Sequence, residues 1–231
     1  MSLETIAKYC ALSPTTPQAE FCESDRFVTT ISGPMAMGKT TALIMSALRF
    51  VDDPRYNAMI FRRRFSDLKM PGGIVDNAKR IIGGDAAWSE KHKRFTFPSG
   101  ARLSFGYAET ERDLTRYLGD EFQYIGIDRV NELHTKKDAV GEIPEAVLHL
   151  ICRLREAQPR RIPLRLAMTI SDVDESVEWL RCRRFRTEFA GKQHHVKAPW
   201  LSNPHVDHDG LMRQLESLDP VTRDCLMGEW L

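Results

Sequence analysis

Residues 30–45 read TISGPMAMGKTTALIM, and within them Gly33-Pro34-Met35-Ala36-Met37-Gly38-Lys39-Thr40 fits the pattern G-x-x-x-x-G-K-[ST]. Before it, residues 27–32 form a short apolar run rich in β-branched residues, which predicts a strand. After it, residues 40–51 have helical composition, with Leu43, Ala47, Leu48 and Val51 on one face. A strand, a glycine-rich turn and a helix in that order fold backbone N–H groups inward around phosphate oxygens. In this reading residues 33–41 are the cradle. Gly38 lets the backbone approach closely, Lys39 offers a point charge to the β/γ oxygens, and Thr40, followed by Thr41, offers a hydroxyl to Mg²⁺. The helix that begins there adds its positive end. A chance match of this kind is expected in on the order of one random chain in a hundred of this length. A coincidental turn is therefore the weaker reading.

The rest of the chain supplies the frame. With 231 residues and 42% hydrophobic content it can bury a sizeable core, and one α/β domain is expected. The formal charge of +1 gives no argument for a nucleic-acid partner, although residues 153–165 and 181–186 are rich in arginine. Such runs read either as solvated helix faces or as phosphate contacts. Cys10, Cys22, Cys152, Cys182 and Cys225 lie far apart, with no C-x-x-C pair and an odd total, which argues against a zinc site and a disulfide framework. A reducing compartment follows. No apolar stretch approaches the roughly 18 residues of a membrane span, and the N-terminus lacks a signal-peptide profile, so a soluble intracellular protein with no membrane partner is expected.

Strand and helix patterns alternate. Strands are predicted at residues 58–62, 123–127 and 162–169, with a hairpin-like pair at 94–97 and 101–107 around Pro98-Ser99-Gly100. Helices are predicted around 73–82, 143–155 and 174–185. Strands separated by helices imply crossovers and a mostly parallel central sheet with helices on both faces, the α/β class; with the glycine-rich loop, the chain resembles a P-loop NTPase of the RecA-like (ASCE) type. Residues 199–231 read as loop-rich and are expected to wrap the domain.

A phosphate cradle needs a carboxylate that can organise Mg²⁺ near Thr40. In QYIGIDRVNEL, residues 123–133, the apolar strand ends at Asp128, which is the candidate. An aspartate that only caps the next turn is the alternative.

With these residues in view, the chain resembles the ATPase domain of large terminase subunits, the motors that package double-stranded DNA into the proheads of tailed bacteriophages. The likeness is carried by SPTTPQAEF, GPMAMGKTTAL, IFRRRFSDL, FTFPSGARLSFGY, TRYLGDEFQYIGIDRVNEL, ICRLR and LSNPHVDHDGLMRQLESLDPVTRDCLMGEWL, and so runs along nearly the whole chain. In that family the last stretch leads toward an RNase H-like nuclease domain. This chain stops there, so a truncated form or fragment is expected.

The resemblance implies ATP and Mg²⁺ as cofactors. As partners it implies double-stranded DNA, a portal protein, a small terminase subunit and further copies of the chain, in a ring of roughly five subunits. It places the protein in the host cytoplasm and transiently at the portal. Gln18, in Thr16-Pro17-Gln18, falls where the family contacts adenine, and a glutamine amide can pair with the N6/N7 edge of that base. An exposed glutamine at a helix start is the alternative. Arg116 falls where these motors place an arginine that reaches a neighbouring subunit's γ-phosphate, with Arg62 and Arg63 as competitors and a salt bridge to Asp120 or Glu121 as the structural alternative. The family's usual glutamate after the Mg²⁺-organising aspartate is replaced here by Arg129, which cannot act as a base. Glu132 is the nearest spare carboxylate and the candidate in its place. Where relatives continue Asn-Pro-Gly-Gly after the strand IPLRLAMT, this chain has Ser171-Asp172-Val173-Asp174. Thr169 and Ser171 still offer hydroxyls toward the γ-phosphate, whereas Asp172 or Asp174 would weaken coupling by adding negative charge. A nucleotide-binding but non-hydrolysing form, or another strand-translocating P-loop ATPase, remains open at this point.

Overall fold

A computed structural model of the chain describes residues 2–133, 142–155, 162–170, 179–180, 189–199 and 202–217. Its strands are β1 (Val28–Ser32), β2 (Asn57–Arg62), β3 (Ala87–Ser89), β4 (Arg94–Thr96), β5 (Arg102–Tyr107), β6 (Tyr124–Ile127), β7 (Arg165–Ile170) and β8 (Gln193–Lys197). The α-helices are α1 (Ser2–Tyr9), α2 (Thr16–Glu23), α3 (Lys39–Ala47), α4 (Phe65–Lys69), α5 (Ile74–Ile81), α6 (Glu111–Thr115), α7 (Glu145–Ile151) and α8 (His208–Glu216), and a 3₁₀ turn spans Val130–Leu133.

The strands form one sheet in the order β3-β4-β5-β2-β6-β7-β1-β8. From β5 to β8 all neighbours are parallel; β3, β4 and β5 pair antiparallel at the other edge. This is the mostly parallel α/β sheet expected from the alternation of elements. Every residue of β1, β6 and β7 is buried, as strands covered on both faces require.

Strand alternation divides the core in two. Ala58 and Ile60 of β2, Tyr124 of β6 and Ala167 of β7 pack with Leu43, Ile44 and Ala78 from α3 and α5. Their neighbours Met59, Phe61, Ile125, Ile127, Leu166 and Met168 face the other way, toward Val147 and Leu150 of α7. Period-two side chains thus feed opposite cores.

One contact sets the height of α3 on the sheet. A Cβ at Gly126 would lie 3.2 Å from Leu43 Cγ and 3.1 Å from Ile60 Cγ1, so any larger residue there would press the helix or its neighbours back by a few tenths of an ångström. Beside it the Tyr124 hydroxyl donates to the Leu43 carbonyl at 3.0 Å. With Leu43 fixed over β6, the first turn of α3 stands over the residue that follows the strand. Burying Leu43 contributes roughly 2 kcal/mol of the docking energy.

Several boundaries differ from the sequence reading. Residues 143–155 shorten to α7, because chain after Ile151 turns to pair Leu154 with Phe122 in an isolated bridge. The hairpin forms as β4 and β5, but β5 also pairs parallel with β2. β8 was not legible: in Gln193-His194-His195-Val196-Lys197 only Val196 is buried, and His195 instead places its two ring nitrogens 2.7 Å from Thr30 Oγ1 and 3.1 Å from Ser32 Oγ. Of the predicted helix 174–185, only Trp179 and Leu180 fall among the described residues; Ser171, Asp172, Asp174 and the arginines of 181–186 lie outside them. Of the segment expected to wrap the domain, Ser202 and Asn203 touch the loop after β1 and α8 follows them, while 218–231 are likewise outside the described residues.

Candidate functional site

The loop after β1 takes its shape from two glycines. Gly33 has φ 151° and sits where a Cβ would come within 2.5 Å of the Ala198 carbonyl oxygen. Gly38, at φ 74°, is the N-cap of α3, and a Cβ there would strike Gln18 Nε2 at 2.4 Å. Both positions need glycine. Between them Ala36 also takes a positive φ of 67°, and the Met37 side chain turns into the core, 1% exposed.

Three other segments brace this loop. Gln18 Nε2 donates to the Gly38 carbonyl at 3.1 Å, Asn203 Nδ2 donates to the Ala36 carbonyl at 2.6 Å, and the Ser202 hydroxyl lies 3.8 Å from the Met37 sulfur. Lys39 Nζ arches back to donate to the carbonyls of Gly33, at 2.5 Å, and Pro34, at 2.6 Å. The lysine therefore hangs over its own loop.

Asp128 follows β6 directly and is buried, 4% exposed. Its Oδ1 accepts from the hydroxyls of Thr40, at 3.0 Å, and Thr169, at 2.8 Å; its Oδ2 accepts from Arg62 Nη1 at 3.1 Å. Thr169 in turn accepts from the Arg129 backbone N–H at 2.7 Å. Because β7 lies between β1 and β6, Thr169 at its C-terminal end falls between the loop and Asp128. Thr40 and Asp128 thus form a corner of two hard oxygens 3.0 Å apart, suited to a magnesium ion that keeps waters and takes its remaining ligands from phosphate. Among the described residues there is no group of three or more His, Cys, Asp or Glu that could hold a metal ion.

Loop and corner open into a cavity of about 790 Å³. One wall is the loop with Lys39, Thr40 and Thr41; a second is Asp128, Arg129 and Thr169; α5 contributes Asn77 and Arg80, and residues 11–13 together with His205 complete it.

Residues 30–142 match the family described as terminase large subunit, T4likevirus-type, N-terminal. Among solved structures, the large terminase of a thermophilic bacteriophage superposes with a TM-score of 0.69 at 12% identity, covering 92% of this chain and 52% of that one. The same protein in complex with ATP-γ-S gives a TM-score of 0.64 at 12% identity, covering 91% and 51%. The large terminase ATPase domain of Thermus phage P74-26 gives 0.59 at 10% identity, covering 95% and 94%. The chain has the terminase large-subunit ATPase fold. It spans about half the length of the first of these terminases, and no curated protein matches it.

Within this terminase fold the sequence candidates separate. Lys39, Thr40, Thr41, Asp128 and Gln18 line the cavity together with Met35, Ala36, Met37 and Gly38. Gln18 is buried, 5% exposed, and both ends of its amide are committed: Oε1 accepts from Thr15 N–H at 2.9 Å in a capping box for α2, and Nε2 holds Gly38. It is not the exposed glutamine of the alternative reading. Glu132 is not among the cavity-lining residues; it lies on the 3₁₀ turn, 3.3 Å from Arg129 Nη1 and 3.7 Å from Arg62 Nη2. Arg116 is also off the cavity. Its guanidinium packs over the Tyr107 ring, bonds the Tyr107 hydroxyl and lies 3.5 Å from Asp113, rather than from Asp120 or Glu121.

Arg62 is committed to Asp128, with Asp67 also at 3.7 Å, so this one of the two competitors for a trans-acting arginine is an internal partner of a buried carboxylate. Arg165, at the end of the arginine-rich stretch 153–165, is not on the surface. It is 1% exposed, and its guanidinium donates to the carbonyls of Phe21, at 2.9 Å, and Cys22, at 3.1 Å. Burial pulls its pKa below the usual arginine value. Sequence reasoning gave no role to Asn203, Ser202, Asn77 or Arg80; Asn-Pro at 203–204 was a turn signal that could have marked Asn203 as a side-chain donor.

Proposed function

We propose that this chain is the motor domain of a terminase large subunit, binding ATP with Mg²⁺ and hydrolysing it to drive double-stranded DNA into a prohead. In that role its partners are DNA, the portal protein, a small terminase subunit and copies of itself in a ring. One observation carries the reading: Thr40 Oγ1 meets Asp128 Oδ1 at 3.0 Å across 88 residues of sequence, at the wall of a cavity of about 790 Å³. That volume lies in the range of small-molecule sites. The thermophilic-bacteriophage terminase solved in complex with ATP-γ-S supports the choice of nucleotide.

The chain's own groups would act as follows. Lys39 exchanges its two loop carbonyls for phosphate oxygens, and the loop N–H groups and the start of α3 face the same anion. Thr40 and Asp128 would hold Mg²⁺, which would supply positive charge against the phosphate oxygens. Thr169 keeps Asp128 oriented through a 2.8 Å hydrogen bond. Glu132 is the carboxylate nearest in sequence for orienting water, and reaching the phosphate requires it to leave Arg129 and Arg62.

That last requirement favours a second reading, in which the chain binds ATP without turning it over. Steady-state phosphate release with Mg²⁺, compared between the chain and its Arg129→Glu variant, separates the two. Turnover by the chain itself, lost on Glu132→Ala, supports the motor. Turnover only in the variant assigns this chain to nucleotide-dependent assembly.

A further inference from the structure

Arg129 stands where a carboxylate was expected, and its geometry is unusual. Its φ of 57° lies in the left-handed region, which an arginine adopts sparingly. The conformation is held by the neighbouring buried Asp128 and by the N–H donated to Thr169 at 2.7 Å. A non-glycine residue kept in this region beside a site points to a function for the side chain so directed.

Arg129 lines the same cavity as Lys39, Thr40 and Asp128, and its side chain is 53% exposed. It is tethered to Glu132 by one hydrogen bond at 3.3 Å on an i,i+3 spacing. A guanidinium has five N–H donors in a planar fork that matches phosphate, and an exposed pair of this kind is a weak tether. Three other arginines are differently placed. Arg62 is buried against Asp128, Arg116 packs on Tyr107 away from the cavity, and Arg80 belongs to the α5 wall, where it donates to Asn77 Oδ1 at 2.7 Å.

We propose that Arg129 is a phosphate-gripping residue supplied in cis. When a nucleoside triphosphate occupies the cavity, its guanidinium leaves Glu132 and engages the terminal phosphate, distinguishing a triphosphate from a diphosphate. The position after the metal-organising aspartate then carries a cation that reads the nucleotide state, and the same exchange releases Glu132 from one of its two arginines. The proposal rests on the nucleotide-binding reading above.

The test is calorimetric titration of the chain with ADP and, separately, with ATP-γ-S, each with Mg²⁺, in the native form and in Arg129→Gly and Arg129→Lys. Glycine is the appropriate truncation because it tolerates the left-handed backbone. Arg129→Gly is expected to weaken ATP-γ-S by about tenfold or more while changing ADP less than about twofold, and Arg129→Lys to fall between. Equal losses for the two nucleotides, or an unchanged affinity for ATP-γ-S, overturn the proposal while leaving nucleotide binding intact. Failure of the native chain to bind either nucleotide removes the nucleotide reading itself, and Arg129's role with it. Thermal unfolding of each variant without nucleotide reports separately any loss from the tether to Glu132.

Discussion

Arg62 Nη1 lies 3.1 Å from Asp128 Oδ2, joining the last residue of β2 to the first residue after β6 in a setting where both side chains are almost fully buried. Two more carboxylates, Asp67 and Glu132, approach the same guanidinium at 3.7 Å. Removing Asp128 would leave a buried cation with only these longer partners. Asp128→Ala is therefore expected to cost about 3 kcal/mol of folding stability, at the lower end for breaking a buried pair because Asp67 and Glu132 remain. Chemical denaturation without nucleotide measures this, and a variant as stable as the native chain would show that the cluster is held by other forces.

Gln18 joins two tasks that can be told apart. As a brace it closes the capping box with Thr15 and holds the Gly38 carbonyl, so Gln18→Ala should lose about 1–2 kcal/mol of stability whether or not nucleotide is present. As a reader of adenine it would also set the preference for ATP over GTP. Binding of both nucleotides to Gln18→Ala decides the matter: a loss of affinity shared equally by the two bases leaves Gln18 as a brace of the loop alone.

Much of this architecture was legible in the sequence because its signals were local. The loop announced itself through Gly33, Gly38 and Lys39, and the apolar runs of β2, β6 and β7 marked buried parallel strands, which brings Asp128 to the cavity. What failed to show were contacts that depend on distant backbone. Arg62 and Arg165 look like surface charge in sequence, yet tertiary placement buries both. Nothing near Glu132 signalled that the 3₁₀ turn would hold it off the cavity lining. β8 carries no apolar alternation, being placed by pairing with β1 and by the histidine bonds to Thr30 and Ser32. Gly126 was visible, but its meaning, a seat for Leu43, needs the helix in place.

Arg165 anchors α2 to the start of β7 by donating to the carbonyls of Phe21 and Cys22 in the last turn of that helix. A cation at a helix C-terminus is favourably placed, and removing it strands buried acceptors. Arg165→Met is expected to lower stability by about 2 kcal/mol and to leave DNA affinity unchanged at fixed salt. Circular dichroism and a filter-binding titration check the two halves. A folded variant with a clear loss of DNA affinity would return Arg165 to the surface.

Cys22 lies in the last turn of the same helix, fully buried, and desolvation pushes its thiol up to about 12. The folded chain therefore keeps a proton that the unfolded chain releases from about pH 8.5 upward. Since this folded-state pKa is raised, the contribution to stability is complete below that pH and is lost as pH climbs toward 12. Buried Tyr56 and Tyr124 and half-buried Tyr117 are shifted upward by desolvation as well, so alkaline destabilisation should steepen as the phenols of the unfolded chain begin to ionise. Cys152, in contrast, is exposed on the turn after α7. Iodoacetamide at pH 8 followed by peptide-resolved mass spectrometry should label Cys152 within the time that leaves Cys22 unmodified, and urea should abolish the difference. Equal labelling of both in the native chain would mean that α2 opens from β7 readily, and the link from Arg165 through α2 to Gln18 and the phosphate loop would lose its rigidity.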